Sequence, residues 1–276
     1  MPELHRYRRT GKVAKFLIPI ASRALSSTRV QSAISLGETG AALLQGKGAG
    51  SGWDIDAEVT AALKFIRPGA TVFDIGANKG EWSRAIRQRV GNLRLFLFEP
   101  QTACAPYLTI DGAILTQAAV GEKEGRAVLH SPGDAAGNAS LHIRGDTFFS
   151  GQSFAPTDVA VVSIDSFIET NSIQAIDFMK MDIEGHELFA LRGADRALAK
   201  SIIRALSFEF GSGNINSRTF FRDFWELLTK HSYELYRILP RGMTLRIHRY
   251  DEELEYFRGV SNYMAVSAGV EEEWRV

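Results

Sequence analysis

The sequence predicts an α/β domain: a largely parallel sheet covered by helices on both faces. Two observations carry this. From residue 54 onward, short apolar runs alternate with segments whose apolar residues recur at helical spacing, which is the pattern of β-α-β units. Several of those runs end in clusters of polar residues and glycine, and ligands of open parallel sheets sit outside the carboxyl ends of the strands. With 276 residues, 45% of them apolar and 23% charged, the chain can build a sizeable core and is neither disordered nor fibrous. Its single cysteine, Cys104, excludes an intramolecular disulfide framework and a Cys-rich zinc module, and fits a reducing, cytoplasmic setting. No apolar run is long enough to make a transmembrane helix.

The elements follow in order. Residues 56–66 have helical spacing and stop at the turn Arg67-Pro68-Gly69. Residues 71–75 read as a buried strand, 79–90 as a helix, 93–98 as a strand, 103–108 as a short helix and 113–120 as a third strand. Extended pieces follow at 127–130 and 159–164. Residues 177–181 are a fourth buried strand, 187–199 a helix and 203–210 a strand. Residues 218–231 read as an amphipathic helix whose Phe220, Phe221, Phe224, Trp225 and Leu228 are expected to pack on the sheet. Strands at 233–239 and 261–266 close the domain, and the basic stretch from Arg237 to Arg249 reads as a solvated hairpin.

The formal net charge of zero hides an asymmetry. Residues 1–50 carry Arg6, Arg8, Arg9, Lys12, Lys15, Arg23, Arg29 and Lys47 against only Glu3 and Glu38. Residues 11–25 also show helical apolar spacing. A basic amphipathic helix there would pack on the main domain or on a second subunit, as in a homo-oligomer, or lie peripherally on an anionic membrane. Residues 46–52, GKGAGSG, read as a linker. The expected division is a basic extension and linker at 1–52 and the main domain at 53–276.

The sharpest signal lies at the first strand end, Val72-Phe73-Asp74-Ile75-Gly76-Ala77-Asn78-Lys79-Gly80. A dinucleotide fingerprint starting at Gly76 would need glycine at positions 78 and 81, which are Asn78 and Glu81. The turn therefore lacks the glycine that admits a pyrophosphate, and Glu81 places an anion at the helix start. At the second strand end, Glu99 can accept hydrogen bonds from both hydroxyls of a ribose. An adenosine without phosphates and with a positive charge is S-adenosylmethionine. The third strand end, Gln117-Ala118-Ala119, is small enough for a flat adenine. At the fourth, Asp182, Glu184 and His186 converge, and Lys180 in the strand is costly unless paired. Glu209 adds an acid at the fifth.

With these stretches in hand, the chain resembles the FkbM family of S-adenosylmethionine-dependent methyltransferases. The likeness rests on VFDIGANKGEWS, LFLFEP, AAVGEKEG, VVSIDSF, DFMKMDIEGHELFALRGA and LSFEF, in order between residues 53 and 210. It implies a Rossmann-like class I methyltransferase fold with a seven-stranded, mostly parallel sheet and one antiparallel final strand. It implies that Asp74, Gly76, Ala77 and Asn78 line the methionine end of the cofactor, that Glu99 holds the ribose, and that Gln117 and Ala118 flank the adenine. Asp182 and Glu184 match the acidic strand-four motif at the boundary of cofactor and acceptor. Asn138-Ala139-Ser140 matches a small polar turn near the cofactor. Lys79 and His186 depart from the usual family residues, which puts a family-wide catalytic role for His186 in doubt.

The expected reaction is O-methylation of a hydroxyl on a sugar, glycan or glycolipid, with Asp182, Glu184 and His186 as catalytic candidates and Asp182 or His186 as base. A divalent metal such as magnesium, held by Asp182 and Glu209, is a second reading. Two rival classes are a nicotinamide-dependent oxidoreductase and a non-catalytic binding protein on the same sheet. The net acidic main domain and the lack of a basic-aromatic stripe argue against a nucleic-acid acceptor.

Overall fold

The computed structural model describes residues 25–48, 55–144 and 151–270. The expected basic helix lies outside these residues except for Leu25, as does the end of the glycine-rich stretch. The chain divides into two compact units after Leu44. In the first, α1 spans Thr28–Leu44, a helix not foreseen from a segment rich in serine and glycine.

The second unit is the α/β domain. Its elements are α2 (Ile55–Ala62), β1 (Thr71–Ile75), α3 (Glu81–Val90), β2 (Arg94–Phe98), a 3-10 turn at Thr102–Tyr107, β3 (Ala113–Thr116), β4 (Ala119–Val120), β5 (Gly125–Ser131) and β6 (Ala155–Val162). Then come α4 (Ile164–Thr170), β7 (Phe178–Met181), α5 (Glu187–Arg192), α6 (Asp195–Ala199), β8 (Ala205–Gly211), α7 (Ser212–Ser217), α8 (Phe221–Lys230), β9 (Tyr233–Ile238), β10 (Thr244–Ile247) and β11 (Val260–Ser267).

The main sheet has the order β10-β9-β11-β8-β7-β1-β2-β3, and β4-β6-β5 form a second, small sheet. Neighbours from β3 to β8 pair in parallel, while β11 runs antiparallel between β8 and β9. The seven expected strands are all present. The eighth is β10, which returns antiparallel along β9 and makes the expected basic hairpin the edge of the sheet. The chain builds outward from β1 through β2 to β3 and then crosses to β7 on the other side of β1. The order reverses between β1 and β7, so their carboxyl ends splay around the crevice where a ligand fits.

Both faces are buried, and the alternation along β1 shows why. Phe73 and Ile75 join one core with Phe96, Met179, Phe208 and the inner sides of α5 and α8. Phe220, expected to pack there too, is exposed instead. Val72 joins the other with Leu95, Phe178 and the inner sides of α2 and α3. Burying such side chains contributes about 1.5–3 kcal/mol each, which is what holds helices on both faces.

Two boundaries differ from expectation for reasons that matter at the site. The strand expected over 113–120 breaks after Thr116. Its first part extends the main sheet and its second joins the small one, so Ala118 is buried and Gln117 is exposed. The helix expected over 187–199 is two helices separated at Gly193. A Cβ there would lie 2.2 Å from the Gly121 carbonyl oxygen, so the chain needs glycine for backbone to meet backbone.

Candidate active site

The polar residues of the site arise from the same alternation. Asp74 on β1 lies directly opposite Lys180 on β7, and Lys180 opposite Ser207 on β8. Cross-strand partners share a face, so an acid and a base meet beneath α2 and α3 on an otherwise apolar surface. Lys180 is 6% exposed. Its Nζ is 3.0 Å from Asp182 Oδ2 and 3.8 Å from Asp74 Oδ1. Burial disfavours its charge, but Asp182, Asp74, Glu58 and Glu209 outweigh that and raise its pKa above the ordinary lysine value. Asp74 is pushed upward by burial, against Lys180 and a 2.5 Å hydrogen bond donated by Ser83 Oγ. Glu58 accepts a hydrogen bond from Asn262 Nδ2 at 2.6 Å.

Above this row, the loop after β1 turns at Gly76 with φ of 81°. Gly76 and Ala77 donate to the Phe98 carbonyl, at 2.9 and 3.1 Å. Asn78 N–H donates to Glu99 Oε2 at 2.9 Å and Gln101 N–H to Glu99 Oε1 at 2.8 Å. Burial pushes the Glu99 carboxyl up, and those two N–H groups draw it back. A hydrogen bond from the Gln101 side chain draws it back as well.

Across the switch point, Asp182 N–H donates to the Ile75 carbonyl at 3.0 Å, and the chain then turns through Glu184 at φ 54°. Glu187, fully buried on the first turn of α5, holds this turn. Its Oε1 accepts from Ile183 N–H at 2.9 Å and Gly185 N–H at 3.3 Å, and its Oε2 has no hydrogen-bond partner. Glu184 ion-pairs with Arg144. His186 Nδ1 lies 3.0 Å from His142 Nε2, and its ring stacks on Phe189.

These elements enclose a cavity of about 540 Å³. Gly76, Ala77, Asn78, Glu99, Ala118, Asp182, Glu184, His186 and Glu209 line it. Asp74 and Gln117 do not: Asp74 is buried, where it braces Lys180 and Ser83, and Gln117 is exposed. Asn138-Ala139-Ser140 lies in the segment that roofs the cavity, with Ala139 on its lining. Sequence reasoning missed Glu187, His142, Arg144 and Ser83. Ser83 and Glu187 follow the two loop motifs at short range, whereas the histidine and arginine come from forty residues away in the chain.

The metal expectation finds no support. Among the described residues no group of three or more His, Cys, Asp or Glu side chains is arranged to hold a metal ion. The Lys180 ammonium sits among the carboxylates of Asp182 and Glu209, supplying the positive charge a metal there would bring.

The sequence model of a methyltransferase FkbM domain matches residues 74–235. The chain belongs to the FkbM methyltransferase family. No curated protein matches the chain. Among solved structures, the FkbM chain is similar to a precorrin-6y C5,15-methyltransferase from Geobacter metallireducens GS-15, with 11% identity, 78% of this chain and 89% of that chain covered, and a TM-score of 0.42. It is also similar to the plantazolicin methyltransferase BpumL in complex with SAH, with 10% identity, 94% and 98% covered, and a TM-score of 0.40. Membership sets aside the nicotinamide reading and makes S-adenosylmethionine the methyl donor. The residues present fit that molecule. Glu99 is a carboxylate acceptor on the cavity lining, Phe98, Ala118 and Leu141 supply apolar lining, and the carboxylates of Asp182 and Glu209 line the same cavity, where positive charge is favoured.

One consequence concerns pH. Burial pushes the Glu187 carboxyl up to about 7, with Asp182 adding to it against the backbone N–H groups of Ile183 and Gly185. Burial and His142 push His186 down to about 4. Glu187 therefore binds its proton more tightly folded than unfolded, and its contribution is present below its ordinary pKa and lost as pH rises to about 7. His186 acts oppositely: its contribution is present above the ordinary histidine pKa and lost as pH falls toward 4. Between those limits the two trends offset. Glu187→Gln should thus gain on the unaltered protein by about 3 kcal/mol as pH rises from about 4.5 to 7. Urea unfolding at half-unit pH steps measures this, and parallel stability curves would refute it.

Proposed function

We propose that this FkbM methyltransferase transfers the methyl group of S-adenosylmethionine to a hydroxyl of a sugar-bearing acceptor, a glycan or glycolipid. The observation that carries the reading is the set of carboxylates on the cavity wall beyond Gly76: Glu58, Glu81, Asp182 and Glu209. Carboxylates accept hydrogen bonds and repel anions, so this half suits an acceptor that presents many O–H donors and no phosphate. The bound cofactor supplies an electrophilic methyl on a positive sulfur. Glu99 would hold the ribose diol, and the Ala118–Val120 wall the adenine. Asp182 would orient the attacking hydroxyl and take its proton as the new C–O bond forms, with Lys180 fixing the carboxylate in place. Asp182 is favoured over His186 as base because the His186 Nδ1 is held by His142. Glu184 is committed to Arg144. The basic residues of the N-terminal segment would draw the enzyme peripherally to an anionic membrane surface, where a glycolipid acceptor resides.

The test has two arms. S-adenosylhomocysteine should bind the unaltered protein in calorimetry, and Glu99→Gln should weaken it about 10- to 100-fold, because an amide NH₂ must face either the Asn78 or the Gln101 N–H. Methyl-labelled S-adenosylmethionine should then label a hydroxyl in a panel of glycosides and glycolipids, and Asp182→Asn should abolish labelling while sparing S-adenosylhomocysteine affinity. Labelling confined to amine or carboxyl acceptors would overturn the hydroxyl reading.

A further inference from the structure

The segment after β5 forms an arch over the cavity, and its two sets of alternate residues do different things. Ala135, Gly137, Ala139 and Leu141 face inward and line the cavity. Ser140, His142 and Arg144 face the β7 loop. Ser140 Oγ donates to the Glu184 carbonyl at 2.8 Å, His142 Nε2 meets His186 Nδ1 at 3.0 Å, and Arg144 pairs with the Glu184 carboxylate. At the opposite foot, Gln101 Nε2 donates to the Ala136 carbonyl at 3.0 Å. Ser140 also exchanges backbone hydrogen bonds with His130, which ties the arch back to β5. The Arg144 side chain is 2% exposed.

A long cation is costly to bury unless its geometry is defined, so the Arg144–Glu184 pair holds the arch in one place. Each of the three contacts ends on residues 184–186, the turn that follows Asp182. Three of the four inner residues are alanine or glycine, so the arch can lie close over a flat ligand, with Leu141 supplying the apolar contact. We propose that Ser140, His142 and Arg144 are positioning residues for methyl transfer: they clamp the arch onto the β7 loop, closing the cavity over the cofactor and holding that loop in register with it. The proposal rests on the methyl-donor reading above. A clamped arch must release for the cofactor to enter and again for it to leave. Weakening the clamp therefore speeds both steps, whereas losing an ordinary ligand contact speeds departure alone.

The experiment is stopped-flow binding of S-adenosylhomocysteine to the full chain and to Arg144→Met, Arg144→Lys and the His142→Ala/Arg144→Met pair. Association and dissociation rates should both rise about tenfold in Arg144→Met and further in the pair, with Kd changed less than about threefold, as expected for losing one buried charged contact in both ligand states. Arg144→Lys should fall nearer the unaltered protein. Unchanged rates in the folded pair, or a rise in dissociation alone with Kd rising in proportion, would overturn the proposal. Should the variants not fold, hydrogen exchange on the unaltered chain decides. Amides 133–141 should exchange at least threefold more slowly with S-adenosylhomocysteine than without it, and equal rates would overturn the clamp. A chain that binds no S-adenosylhomocysteine would overturn the methyl-donor reading, and the clamp with it.

Discussion

Replacing Lys180 with methionine should destabilise the protein by about 3–5 kcal/mol, because it leaves buried carboxylates without their cation. Lys180 stands opposite Asp74 in the sheet, bonds Asp182, and feels Glu58 and Glu209 as well. Methionine matches the length and fills the space, so packing is nearly conserved and the loss is electrostatic. The raised pKa of Lys180 keeps its stabilisation constant through the neutral range. In the variant, burial and Asp182 act on Asp74 against the Ser83 hydrogen bond alone, so its carboxyl, already pushed up, rises further. The difference between the two proteins should therefore narrow as pH falls and the carboxylates protonate. Asp74→Asn in the Lys180→Met background should recover part of the loss, giving a coupling that a double-mutant cycle reads directly. Urea unfolding of the four proteins at two pH values is the measurement. A Lys180→Met loss below about 1 kcal/mol would show that the ammonium does not hold the polar row together.

That row also shows where the sequence could be read and where it could not. Alternation made Phe73, Met179 and Phe208 core residues and put Asp74, Lys180 and Ser207 on the other face, so a costly buried lysine was visible before its partners were. The partners depend on register, and register between β1 and β7 is set across a hundred residues of intervening chain. Glu99 was legible because it follows an apolar strand that ends at a proline. The break between β3 and β4 was not, because Thr116-Gln117-Ala118 contains neither glycine nor proline to mark it. α7 was hidden for a different reason. Its Ser, Gly and Asn residues favour a loop, and the helix forms where Asn214 Oδ1 accepts the Gly211 N–H at 2.8 Å beside the β8 end. His142 and Arg144 carry no periodic signal, since they act through an arch that exists only once the small sheet has formed.

The second large effect belongs to Gly76. Its φ of +81° is nearly that of Gly69 at +87°, but the surroundings differ. A Cβ at Gly69 would meet nothing within 4 Å, so Gly69→Ala isolates the strain of a left-handed alanine, about 1–2 kcal/mol. A Cβ at Gly76 would lie 1.9 Å from the Asp182 carbonyl oxygen and 3.0 Å from Ile183 Cγ2. Backbone cannot yield there cheaply. The same Asp182 donates its N–H to Ile75, so moving the carbonyl away opens the pairing of β1 and β7 at the switch point. Asp182 then leaves Lys180, and the turn held by Glu187 shifts with it. Gly76→Ala should therefore cost at least about twice what Gly69→Ala costs, about 3 kcal/mol or more, and should abolish S-adenosylhomocysteine binding, while Gly69→Ala leaves binding intact. Equal losses in the two variants would mean that the conformation of Gly76, and not its contact with the opposite loop, is what the site requires.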